Sequence, residues 1–143
     1  MYITGGNYDH HDKPSRRALR LDIRNNEQER LPSLIEARYG HASMILSGQL
    51  FVFGGDFGIN KFLSSIECYD TKKKTGWYTL LQGNVLVARS RAGIAAIDAT
   101  QIIVYGGNSM RGWQKNGYKF DVTSHSVKKM FDRYLDGIVT SEG

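Results

Sequence analysis

Asp9-His10-His11-Asp12 is the densest group of potential metal ligands in the 143-residue sequence. Neighbouring residues of an extended chain point to opposite sides, so two adjacent histidines do not grip one ion. No further His or Cys stands nearby to complete the three or four ligands that zinc requires. The group reads as a solvated loop, and the isolated His41 and His125 read the same way. Cys68 and Tyr69 are likewise adjacent, and the same alternation keeps them from sharing one ion. As the single cysteine, Cys68 reads as a small buried hydrophobe with no partner for a disulfide. No GxSxG, HExxH, P-loop or Rossmann pattern occurs. No catalytic residue, metal or cofactor is expected, and the chain does not read as an enzyme.

Recognition is the chemistry that remains. Arg, Tyr and Trp dominate binding energy at protein interfaces. Tyr8, Phe57, Arg111 and Trp113 fall in segments that read as loops, where packing gives them no evident task. Arg38-Tyr39 and Arg89-Ser90-Arg91 stand immediately before apolar runs. The formal charge is +5 and the sequence pI near 9.4. The basic pairs and triplets, Arg16-Arg17, Lys72-Lys73-Lys74 and Lys128-Lys129, are scattered, whereas a nucleic-acid stripe gathers them on one face. No nucleic acid is expected. The longest apolar runs, such as Leu50-Phe51-Val52-Phe53, are strand-sized, far short of the roughly 20 residues of a membrane helix. The first residues, MYITGGNYDHHD, lack the basic and apolar regions of a signal peptide. An intracellular, cytoplasmic location without membrane contact is the expectation.

The elements that must position these side chains are written in a repeat. Three β-rich runs end in glycine pairs: Tyr2-Ile3-Thr4-Gly5-Gly6, Phe51-Val52-Phe53-Gly54-Gly55 and Ile103-Val104-Tyr105-Gly106-Gly107. Each is followed by an apolar–Asp step, Leu21-Asp22, Tyr69-Asp70 and Phe120-Asp121. Ala37-Arg38 and Ala88-Arg89 precede the second and third pairs. Sixteen glycines against two prolines agree with a chain of many tight turns. Ala42 to Leu46 and Gly93 to Ile97 are small and apolar, as for strands buried on both faces. Ser64 to Tyr69 and Tyr118 to Val122 alternate in polarity, as for half-exposed strands. Fourth strands are expected at Trp77 to Leu80 and Val127 to Phe131. Four antiparallel strands in a unit of about 50 residues describe a propeller blade.

On the glycine pairs, Tyr69-Asp70 with Trp77 beyond it, and the arginines at 38 and 89, the sequence resembles the kelch-repeat family. The Tyr69-to-Trp77 hairpin is one residue longer than the usual kelch spacing, and the outer units lack the tryptophan. The resemblance implies an all-β, partial kelch-type propeller of four-stranded antiparallel blades. It divides the chain into 1–36 (strands b–d of a partial blade), 37–86 (a complete blade), 87–135 (a blade) and 136–143 (the first strand of a next blade). Tyr69 and Trp77 are then packing residues between blades. Glycines 5, 6, 54, 55, 106 and 107 supply positive φ and close approach, with Asp70, Phe120 and Asp121 as further structural marks. The resemblance gathers 7–15, 56–62 and 108–117, with Arg38-Tyr39 and Arg89-Ser90-Arg91, around one mouth. Its implied function is that of a scaffold or adaptor holding a protein partner, such as an acidic peptide segment. Open blade edges also allow self-association. The alternative is part of a kelch-propeller enzyme acting on a sugar or other small molecule. Asp9, Asp12 and Asp56 are the carboxylates near the expected mouth.

Overall fold

The computed structural model describes residues 1–7 and 13–131. The described residues are all-β, arranged as three sheets of a partial β-propeller. In the first sheet, β1 (Tyr2–Thr4), β2 (Ala18–Asp22) and β3 (Glu27–Arg30) pair in chain order. The second holds β4 (Ala42–Leu46) and β5 (Gln49–Phe53), then β8 (Ile66–Asp70) and β9 (Trp77–Leu81). Between them the chain makes a small separate hairpin, β6 (Asp56–Gly58) with β7 (Lys61–Phe62). The third repeats this plan with β10 (Gly93–Ala96), β11 (Gln101–Tyr105), β14 (Gly117–Asp121) and β15 (Val127–Met130). Its separate hairpin joins β12 (Asn108–Ser109) to β13 (Gly112–Trp113). All these pairings are antiparallel. Residues 136–143, expected to form the first strand of a next blade, lie outside the described residues.

Face-to-face stacking explains why the middle strands are apolar on both sides. In β5, Leu50 and Val52 pack with Ala18, Leu31, Leu34, Tyr69 and Trp77 toward the first sheet. Phe51 and Phe53 point the other way, onto Ile102, Val104, Tyr118 and Phe120 of the third sheet. Phe53 meets Phe120 edge-on at 5.5 Å between centroids, and Phe51 meets it at 6.0 Å. Burying each such ring contributes roughly 1.5–3 kcal/mol. Tyr69 and Trp77 lie 5.4 Å apart, and the Trp77 indole N–H donates to the Pro32 carbonyl at 2.9 Å. Trp77 is thus the packing residue between two sheets that the repeat implies.

Two strand expectations are corrected. Ile66 to Tyr69 of β8 are all buried, because the strand is covered from both sides. β14, by contrast, keeps the expected alternation, with Tyr118 and Phe120 buried and Lys119 and Asp121 partly exposed. Conversely, the small residues of β10 leave Gly93, Ala95 and Ala96 exposed. Cys68 is a fully buried small side chain, as its repeat position implies.

The repeat marks have physical causes. Gly54 and Gly55 adopt φ of 57° and 99°, and the pairs at 5–6 and 106–107 do the same. A Cβ on Gly54 would lie 2.5 Å from the Val87 carbonyl oxygen, and one on Gly55 would lie 2.8 Å from Tyr39 O. Only glycine fits both the torsion and the space. The closeness is used: Gly55 N–H donates to Arg89 O at 2.9 Å, and Gly6 N–H donates to Arg38 O at 2.8 Å. These bonds tie one sheet to the segment entering the next. At the opposite end, Asp70 Oδ1 accepts from the backbone of Lys72 and Lys73, and Asp121 Oδ1 from that of Thr123 and Ser124. Asp22 does the same with Arg24 and Asn25. Each turn is completed by a residue at positive φ, namely Asn26, Lys74 and His125.

His41 corrects a further expectation. It is wedged between Gly55 and Thr4, whose Oγ1 lies 2.8 Å from Nε2, while Nδ1 is buried without a hydrogen-bond partner. Burial, then the Arg38 charge, lower its pKa from 6.5 to about 4. A lowered folded pKa means that the neutral ring favours the fold. That contribution is complete above pH 6.5 and drains away as pH falls toward 4. Unfolding midpoints across this window should drop more for the native chain than for His41→Gln. The extra loss should reach about 2–3 kcal/mol, discounted for the solvent that reaches part of the ring. Parallel profiles would contradict the buried neutral ring.

Candidate functional site

The loops after the glycine pairs and the segments leading into β4 and β10 lie at one end of the sheets, bound to each other through the backbone. Tyr39 and Asp56 exchange two N–H···O bonds of 3.1 and 2.7 Å, and Ser90 and Asn108 exchange two of 2.8 Å. This framework roots the two separate hairpins. β6–β7 turns at Ile59-Asn60 and β12–β13 turns at Met110-Arg111. Their tips carry large apolar side chains into solvent: Ile59 is 77% exposed, Met110 75%, Trp113 71% and Phe57 44%.

Three expected binding residues are corrected. Arg38 is fully buried. Its Nη1 donates to Gly54 O at 2.8 Å, and its Nη2 to Ser65 Oγ at 3.0 Å and Glu67 Oε2 at 2.5 Å. Glu67 is itself buried and also accepts from the backbone N–H of Ile35 and Glu36. Arg38 therefore closes the second sheet around its own glycine pair and offers no free guanidinium to a cavity. Arg89 repeats the role one unit later. Its Nη1 donates to Gly106 O and Asn116 O, both at 3.0 Å, and its Nε to Leu86 O at 2.7 Å. The repeat arginine thus belongs to the fold, and Ser90, buried in its backbone bridge, belongs with it.

The partners of the two arginines differ. Val52 pairs with Glu67 across β5 and β8, and Val104 with Tyr118 across β11 and β14, so Tyr118 occupies the place of Glu67. The Arg89 guanidinium carbon stands 5.3 Å from the centroid of the Tyr118 ring. No described carboxylate forms an ion pair with Arg89, and burial lowers its pKa. The Tyr118 hydroxyl is buried without a partner, and burial pushes its pKa up.

The remaining candidates reach solvent. Arg91 is exposed over half its side chain and pairs loosely with Asp56 at 3.7 Å. Burial pushes the Asp56 carboxyl up, against its Ser90 hydrogen bond and the Arg91 charge. Tyr39 is half-buried beside them, and Arg111 is exposed at its hairpin tip. Phe57 and Trp113 are exposed. Tyr8, Asp9 and Asp12 lie outside the described residues. Ile59 and Met110 were missed, although an isoleucine within Gly58-Ile59-Asn60 is out of place in a turn and was a readable signal. Among the described residues, no three His, Cys, Asp or Glu side chains gather as a metal site would require. No described helix is long and apolar enough to cross a membrane.

Comparison with family models finds a match to the KLHDC2/KLHL20/DRC7 Kelch-repeats domain over residues 1–132. A search of curated proteins finds no match.

Proposed function

Because the chain belongs to the kelch-repeat family, whose domains generally mediate protein–protein interaction, we propose that it holds a protein partner on the two exposed hairpins. One observation carries the reading: Phe57, Ile59, Met110 and Trp113 stand in solvent at a single end of the sheets. Large apolar groups displayed on a braced framework gain free energy when a partner removes them from water. Preformed backbone bridges at their roots reduce the ordering cost on binding. The cations at this end, Arg91, Arg111 and Lys115, favour an acidic peptide segment as the partner. The propeller serves as the scaffold, in the manner of an interaction module and not of a catalyst.

The test compares affinities of the full-length protein for a purified, identified partner. Trp113→Ala should weaken binding by about 2 kcal/mol, some 30-fold, and Ile59→Ser by a smaller factor. Lys72→Ala, in the turn at the opposite end, should leave the affinity unchanged. Equal effects of the three substitutions would remove the hairpins from the account.

A further inference from the structure

Between the roots of the two hairpins lies a cavity of about 230 Å³, sized for a single small ring and below the range of drug-sized ligands. Two backbone bridges hold its walls, Tyr39 with Asp56 and Ser90 with Asn108. Asn60 and Phe62 of the β6–β7 hairpin close one side. Its polar groups are therefore placed before anything binds, which lowers the ordering cost of a ligand.

One carboxylate in this cavity is left unfinished by the fold. The Asp56 side chain is 6% exposed, and its Oδ2 is buried with no hydrogen-bond partner. The nearest cation, Arg91 Nη1, stands at 3.7 Å, too far to donate to it. Arg91 itself is held at a φ of 57°, a left-handed backbone that a residue with a side chain adopts at a cost. It covers Oδ2 only loosely, with 55% of its side chain in solvent, so a small shift admits a ligand atom. Gly40 keeps the space beside the pair open, since a Cβ there would come within 3.1 Å of Asp56 Oδ2 and 3.7 Å of Arg91 Cγ. Buried polar atoms left unpaired in a native fold point to a group that completes them. An acceptor and a donor at this separation suit one hydroxyl between them, accepting from Arg91 and donating to Asp56.

We propose that this cavity seats a neutral hexopyranose ring, either a free sugar or the end of a glycan. One hydroxyl bridges Arg91 Nη1 and Asp56 Oδ2. Its vicinal neighbour meets the side-chain amide of Asn60 or Asn108, which carries both donors and an acceptor, as a hydroxyl requires. Phe62 offers an apolar surface to the C–H face of the ring. The charged lining residues are one carboxylate and one guanidinium, so they balance. A carboxylate ligand would meet Asp56 and an ammonium would meet Arg91, whereas a neutral polyol meets no like charge. This ligand is distinct from the protein partner on the apolar hairpin tips.

The experiment uses the full-length protein and the methyl glycosides of glucose, mannose and galactose, titrated and read by saturation-transfer NMR. At least one glycoside should bind with a Kd of roughly 1–10 mM, the range for a ligand of so few atoms. Cyclohexanol, a ring of the same size with a single hydroxyl, should not bind. Asp56→Asn keeps the shape and removes the charged acceptor, so it should cut the affinity by about tenfold or more. Its thermal midpoint should not fall, because the substitution removes a buried charge that lacks a hydrogen bond. Arg91→Gly relieves the left-handed backbone and keeps the fold, and the lost donor should cut the affinity by about threefold or more. Lys72→Ala, at the opposite end, should change nothing. A glycopeptide ending in the best-bound sugar tells the two sources apart. Tighter binding than the methyl glycoside assigns the cavity to a glycan end, and weaker binding assigns it to a free sugar. No binding by any of the three glycosides, equal binding of cyclohexanol, or indifference to Asp56→Asn overturns the proposal. An unchanged affinity in Arg91→Gly overturns the bridging hydroxyl.

Discussion

Arg38→Ala should destabilise the chain by about 3–5 kcal/mol, because it leaves the buried Glu67 carboxylate without its cation. The loss is more than one ion pair. Gly54 O and Ser65 Oγ give up their Arg38 donors in the same step. Arg38→Lys should fail to rescue, since an ammonium cannot reach three acceptors in a plane as the guanidinium fork does. The double substitution Arg38→Met with Glu67→Gln should recover a good part of the stability, as it removes both charges and keeps the volume. Denaturant midpoints of the single and double variants measure the coupling. Additive effects within error would mean that the two side chains do not depend on each other.

Trp77→Ala should cost about 3–5 kcal/mol. The indole fills the space between the first and second sheets with Leu31, Leu34 and Tyr69, and is 9% exposed. Its removal leaves a cavity there, strips the 5.4 Å ring pair from Tyr69, and orphans the Pro32 carbonyl. Trp77→Phe keeps a ring but not the donor, so its cost should be smaller and should approximate the lost hydrogen bond and volume. Lys72→Ala serves as the surface control and should stay within about 0.5 kcal/mol. A midpoint unchanged in Trp77→Ala would contradict the packing of the two sheets.

Local features were the legible ones. Glycine pairs, Asp turns and Trp77 announce themselves because each acts on neighbouring backbone or on a core position fixed by strand alternation. Partnerships between distant strands were not legible. Glu67 made β8 look half-exposed and, unrecognised as a partner, left Arg38 looking like a binding residue. One buried ion pair accounts for both misreadings. His41 read as a solvated loop residue because its burial comes from the close approach of Gly5 and Gly55, from two different sheets. Position in a loop marked Phe57, Arg111 and Trp113 correctly as exposed, yet it could not separate them from Arg89, whose loop folds under the neighbouring sheet.

The central claim is that the hairpin end of the sheets meets the partner, while the repeat arginines serve the fold. Amide hydrogen exchange of the full-length protein, alone and saturated with an identified partner, tests it most directly. Protection on binding should concentrate in 56–62 and 108–117, with the backbone bridges at Tyr39 and Ser90 slowed behind them. The turns at 71–76 and 122–126, at the opposite end, should exchange at the same rate in both states. Protection confined to those turns, with the hairpins unchanged, would contradict the account.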